Sequence, residues 1–278
     1  MDIEFTTNDY LLAWSLLFKP SISKEVQDLK ERIWKNHPKD YMALEKEKVE
    51  ILKYTDDFIP DNDVIYNHIF NTEEFKTLKK ETDKHRQFLM KCWDSNSKSL
   101  KANIKELLKF ELKQKYKIIV VHPRFEAVEF LKSNPKKNII WGRLEDTEDA
   151  ERTLIKIIFT IVKYEIGDYQ KENTEIVSAL VDLAISNELY TRFANISKYE
   201  EGLKKLRLLK KQLYPYFLMY IGADKEGLVS YMMRDKIPFD IDRYPIEKEL
   251  KKIDLYGLID FCCRNQKHII RLTNLDIM

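Results

Sequence analysis

Residues 116–143 read YKIIVVHPRFEAVEFLKSNPKKNIIWGR, and two short β-branched runs inside this stretch decide the fold. Tyr116–Val121 (YKIIVV) and Asn138–Trp141 (NIIW) read as short strands. Arg124–Ser133 between them reads as a helix, which predicts a β-α-β unit with parallel strands joined by a right-handed crossover. Parallel strands set their carboxyl ends on one edge, and ligands of parallel sheets collect there. His122, Arg124, Trp141 and Arg143 follow or end the two strands, so these four are the candidate ligand-binding residues. Two arginines near a helix start at Thr147 can hold a carboxylate or phosphate by paired hydrogen bonds, with Trp141 as an apolar wall. The competing reading is structural: Arg124 and Arg143 pair with Glu126, Glu145 or Asp146, and Trp141 fills the core.

A two-stranded sheet is marginal alone, so Ile3–Thr6 or residues 268–272 (HIIRL), which read either as a strand or as the end of the preceding helix, are expected to add a strand. The rest of the chain is helical in pattern. Thr7 or Asn8 caps a helix through Phe18, and Ser23 opens another with Val26, Leu29 and Ile33 on one face. Residues 39–54 continue with Met42, Val49 and Leu52 inward, ending at a turn around Pro60 within Asp56–Asp63. From Thr72 the spacing is the most regular in the chain, with Phe75, Leu78, Thr82, His85, Leu89 and Cys92 along one stripe. His85 therefore faces the core, where it reads as a structural histidine, because zinc needs three or four converging donors.

Lysine-rich segments at 98–117 and 198–211 have leucine faces of their own, Leu100, Ile104, Leu107, Leu108 and Leu112 in one and Leu203, Leu206, Leu209 and Leu213 in the other. Their lysines read mostly as solvated faces. Thr147, Glu148 and Asp149 start an apolar helix to Gly167, and Asn173 or Thr174 starts the next. Pro215 interrupts a later helix that Gly222 stops, Asp224 caps a shorter one, and IPFDIDRYP is a loop, with residues 246–264 helical again. The expected class is mainly α with a small sheet: a helical lobe over 1–115, then a small α/β centre and helical region over 116–278, or the two as one continuous domain.

Charge is nearly balanced, with 48 basic against 46 acidic side chains and a net charge of +2. That supplies no global attraction to nucleic acid. The six glycines never cluster, which excludes phosphate-cradling loops. There is no apolar run of about 18 residues and no leader-like N-terminus, so no membrane partner and a cytoplasmic location are expected. Three cysteines, Cys92, Cys262 and Cys263, read as free thiols, and neither a nucleophile elbow nor a metal motif is present. No cofactor is implied.

Strand, crossover helix, strand, apolar helix and second helix over residues 116–192 resemble, in element order, the core of the glutamate-zincin metallopeptidases. The resemblance implies a peptidase-like scaffold. In that family the first helix bears His-Glu-x-x-His and the next supplies a glutamate; the aligned window here is Lys156–Thr160 (KIIFT), without either histidine or the glutamate. Glu175 or Asp182 falls near the third-ligand position, yet one carboxylate without imidazoles cannot hold catalytic zinc. The sequence thus predicts a non-catalytic module that binds a peptide or protein, on a scaffold lacking the metal ligands. The alternative is an enzyme or anion-binding protein using His122, as acid or base, with Arg124 and Arg143.

Overall fold

In a computed structural model of the chain, four strands form one mixed sheet in the order β1-β2-β4-β3: β1 Asp2–Thr6, β2 Lys115–Val120, β3 Ala127–Phe130 and β4 Asn138–Gly142. The structure describes residues 1–54, 60, 63–112, 114–130, 138–143, 149–167, 169–194, 203–222 and 250–270. The remainder of the described chain is predominantly helical, as expected for a mainly α protein with a small sheet.

β2 and β4 pair in parallel with Ile118 opposite Ile139 and Val120 opposite Trp141, and β1 adds in parallel to the other side of β2, with Phe5 opposite Ile118. The extra strand is therefore the Ile3–Thr6 segment. His268 and Ile269 belong instead to a short helix, and residues 271–272 lie outside the described residues. The crossover helix expected over Arg124–Ser133 is not formed across its described part. Pro123–Phe125 makes a single 3₁₀ turn, Glu126 closes it in the left-handed region, and β3 then runs antiparallel to β4, Val128 opposite Trp141. The open edge of β4 offers a ladder of hydrogen bonds, and pairing there outweighs the helical spacing of so short a segment.

Contacts divide the chain into two units, Met1–Ser95 with Lys113–Thr153, and Asn96–Leu112 with Leu154–Met278. In the first, helices α1 (Asp9–Phe18), α2 (Lys24–Asn36), α3 (Pro38–Tyr54) and α4 (Asp63–Phe70) and the start of α5 (Glu73–Leu108) enclose a core of Leu12, Leu16, Leu29, Ile65, Tyr66 and Phe75. Ile119, Val121, Phe125 and Ile140 complete it from the sheet. Asn8 and Ser23 cap α1 and α2 as their positions predict, accepting from the amides of Leu11 and Val26. Helix α4 is a finding the spacing did not give: Ile65, Tyr66 and Ile69 are buried one turn apart, but only eight residues carry the pattern. In α3 the buried residues include Leu44 and Ile51, while Met42 is 61% exposed, a correction to the inward face expected for it. The side chains of Val49 and Leu52 lie outside the described ones.

Gly142 ends β4 against the backbone that follows β2. A Cβ there would meet the Val121 carbonyl oxygen at 2.9 Å, the His122 carbonyl oxygen at 2.9 Å and Val121 Cγ2 at 2.8 Å. Two of these atoms are backbone and cannot rotate away. Gly142→Ala is expected to cost about 1–3 kcal/mol through overpacking, measured as a lowered urea midpoint; an unchanged midpoint would contradict the close approach.

In the second unit, α6 (Ala150–Ile166) contributes Leu154, Ile157, Ile158, Ile161 and Val162, all buried as the apolar pattern predicts. Its amide-rich start is served by Asp149, whose carboxylate accepts from Arg152 N at 2.8 Å; Thr147 lies outside the described residues. The following helix is divided: α7 (Thr174–Asp182), a π-helical stretch Leu183–Leu189 and α8 (Tyr190–Ala194). Helix α9 (Arg207–Ile221) runs through Pro215 and ends at Gly222 with φ of 90°, a left-handed cap that suits glycine. Helix α10 (Leu255–Arg264), capped by Asp254, packs with α7 and α9, and α11 is Gln266–Ile269. The helix of Asp224 and the IPFDIDRYP loop lie outside the described residues.

The expected leucine faces are buried at Leu100, Ile104, Leu107, Leu108 and Leu112, and at Leu206, Leu209 and Leu213. Their lysines are not all solvated. Lys109 donates to the carbonyls of Tyr220 at 2.7 Å and Lys251 at 2.9 Å, its ammonium 3.9 Å from the Tyr220 ring centre. Lys210 is buried and donates to Asp182 at 2.7 Å and Asn187 at 3.1 Å.

Candidate functional site

A cleft of about 470 Å³ lies in the first unit between one face of α5 and the turn that follows β2. This is within the range of roughly 300–1,000 Å³ common for ligand pockets. Helix α5 supplies Glu81, Lys84, His85 and Phe88, and the turn supplies His122, Pro123 and Arg124. The helical four recur at intervals of three, one and three, which places them along one stripe beside the buried Leu78, Thr82 and Leu89.

The turn is built by its own sequence. β2 ends as Val121 N–H donates to Trp141 O at 2.9 Å, and Pro123 then fixes a 3₁₀ turn in which Phe125 N–H donates to His122 O at 3.0 Å. Phe125 is buried in the first unit's core, its ring 5.8 Å from that of His122 in an edge arrangement, so the turn is anchored from beneath.

His122 is buried and both ring nitrogens are engaged. Nδ1 accepts from Arg124 N–H at 3.3 Å, which leaves the proton on Nε2, and Nε2 then donates to Glu81 Oε2 at 3.0 Å. Burial holds the His122 pKa below its ordinary value; the hydrogen bond and charge of Glu81 act the other way, and Arg124 adds to the lowering. The imidazole is therefore mainly neutral at pH 7, with Nε2 engaged by Glu81. The Glu81 side chain is 56% exposed at the cleft.

The sign of the pH dependence follows. Below the ordinary histidine value of 6.5, the unfolded chain takes up a proton here that the folded chain resists. Stability from this group is thus complete above 6.5 and falls as pH drops beneath it. The His122 Hε1 resonance is expected to titrate below 6.5, and Glu81→Gln to move the midpoint lower still by weakening what favours the imidazolium. An NMR titration with a midpoint above 6.5 would contradict this geometry.

Of the four residues predicted from the strand ends, His122 and Arg124 line the cleft together. Arg124 is exposed, with Nη1 donating to Ile22 O at 3.4 Å. Trp141 is only 1% exposed within β4, and Arg143, half-buried, follows that strand; neither lines the cleft. Glu145 and Asp146 lie outside the described residues. The residues missed by sequence reading are Glu81, Lys84 and Phe88. Their signal was their recurrence next to the buried stripe, with Phe88 aromatic at a position the helical pattern leaves outward; it is 41% exposed.

Lys84 and Arg124 against Glu81, with a neutral His122, give the lining one net positive charge. Phe88 adds exposed apolar surface, and Pro123 lines the cleft while largely buried. Among the described residues no three His, Cys, Asp or Glu side chains converge as a metal site requires. None of the three cysteines is in a disulfide, Cys262 is buried, and burial pushes the thiols of Cys262 and Cys263 up, away from the thiolate form that a nucleophile needs. Among the described residues no helix is long and apolar enough to cross a membrane. No protein-family model, curated protein or solved structure matches the chain.

Proposed function

We propose that the protein is a non-catalytic binding module whose α5 cleft receives a peptide segment of a partner protein, an apolar side chain resting on Phe88 and Pro123 and an acidic group meeting Lys84 and Arg124. The observation that carries this reading is the locked imidazole: both nitrogens of His122 are committed, so this side chain is not a poised proton carrier, and Lys84, Arg124 and Phe88 are left to meet a partner. Aromatic and arginine side chains are enriched at protein interfaces, and Phe88 and Arg124 both line the cleft. A peptidase-like scaffold, the expectation drawn from element order, would suit a peptide-binding role, although fold alone does not carry function. The alternative, an anion clamp or enzyme built on His122, Arg124 and Arg143, draws less support because Arg143 does not line this cleft.

A displayed peptide library panned on the purified protein tests the proposal. Enrichment of sequences pairing an acidic with a large apolar residue is expected, and Phe88→Ala or Arg124→Glu should each weaken the selected peptides at least about tenfold, the effect of a modest hot spot. Binding that survives both substitutions together, or turnover of the bound peptides, would sink it.

A further inference from the structure

The outer edge of β1 is separate from the cleft and exposes main-chain groups. Asp2 N–H donates to Gln114 O at 3.0 Å, and Asp2 stands opposite Lys115 in a parallel pair. In such a ladder alternate residues turn both backbone groups toward the neighbour. Asp2, Glu4 and Thr6 therefore face β2, and the N–H and C=O groups of Ile3 and Phe5 face away from it. β1 is an edge of the sheet, and no hydrogen bond joins those four groups to any of the described residues. A row of unmet donors and acceptors on a regular strand is a template for one more strand. The opposite edge differs: β3 is four residues long, and its Glu129 is tied to Lys48 of α3.

We propose that this edge accepts an extended segment of another protein as a fifth strand, with basic residues at alternate positions. Side chains on an added strand would stand beside those of β1. Asp2 and Glu4 are exposed on one face, Glu4 already drawing Lys115 to 2.7 Å, while Ile3 and Phe5 turn to the buried face. Lysine or arginine alternating with apolar residues matches both faces at once. A second copy of β1 fits poorly, because antiparallel pairing centred on Glu4 would set acid against acid. Main-chain bonds would supply affinity and the alternate side chains specificity, the usual division in strand addition.

Amide hydrogen exchange on the full chain tests this, with an alternating lysine–valine heptapeptide as probe. In the free protein the amides of Ile3 and Phe5 are expected to exchange at least about tenfold faster than that of Glu4, and saturating peptide should slow them by at least about tenfold. The same peptide N-methylated along one edge should fail. A variant carrying Asp2→Lys and Glu4→Lys should lose the lysine peptide and take a glutamate–valine peptide instead, which shows that it still folds. The proposal is overturned if Ile3 and Phe5 are as protected as Glu4 before peptide is added, if millimolar peptide slows neither, or if methylation makes no difference.

Discussion

Lys210→Met is expected to destabilise the protein by about 3–5 kcal/mol, the cost of removing one partner from a buried ion pair. The magnitude follows from what is left behind. Asp182 has no measurable exposure, and its Oδ2 accepts from Lys210 Nζ at 2.7 Å and from Leu203 N–H at 2.8 Å. Without the ammonium, a buried carboxylate keeps a single amide for company and must either stay charged in an apolar setting or take up a proton. Asn187 loses its bond to the same ammonium. Adding Asp182→Asn removes the stranded charge while keeping an acceptor for the Leu203 amide, so the double variant should be more stable than Lys210→Met alone, with a coupling of about 1–3 kcal/mol. Urea unfolding of the four proteins decides the matter; a single variant within about 1 kcal/mol of the parent would mean that the pair is not held as described.

Trp141→Ala should cost a similar amount, about 3–5 kcal/mol, the usual range for emptying the space of a large buried aromatic. Trp141 is among the largest fully buried side chains and sits opposite Val120 and Val128 at the centre of the sheet. The substitution should leave peptide affinity at the α5 cleft unchanged under conditions where the variant stays folded. Stability and binding measured on one preparation separate two roles. Loss of affinity without loss of stability would restore Trp141 to a ligand site, whereas the converse fixes it as core.

The strands were legible because Ile118, Ile119, Val120, Ile139 and Ile140 are β-branched and buried on both faces, a composition that helices rarely carry in runs so short. The caps at Asn8 and Ser23 were legible because capping is a property of three or four adjacent residues. Pairing is different in kind. Ala127–Phe130 has too few residues to declare its period, and its strand state comes from a partner that lies eight or more residues away in sequence. Helix α4 was hidden for a related reason, eight residues next to Pro60 and a run of aspartates.

The site was half legible. Strand polarity correctly brought residues 122 and 124 to a sheet end, but which wall they would meet depends on α5, more than thirty residues earlier, and no local rule links Glu81 to His122. The sequence also offered no way to see that the imidazole would be consumed by that carboxylate. Similarly, six bases between residues 198 and 211 look interchangeable by composition, yet one of them, Lys210, meets a carboxylate that α7 has buried. Local charge counts treat lysines as a class, and tertiary geometry singles one out.

The π-helical stretch Leu183–Leu189 has a consequence for how this chain tolerates length change. Asp182 and Asn187 are five residues apart and still reach one ammonium; on an ordinary α-helix, at 3.6 residues per turn, they would stand about 140° apart around the axis. The wide turn, marked by Tyr190 N–H bonding back to Ile185 O, brings them to the same side. A one-codon deletion inside this stretch could re-close as regular helix with its main-chain ladder intact, and the amide would swing out of register with its cation. Backbone continuity and polar chemistry would then part company at a place where, in most helices, they fail together.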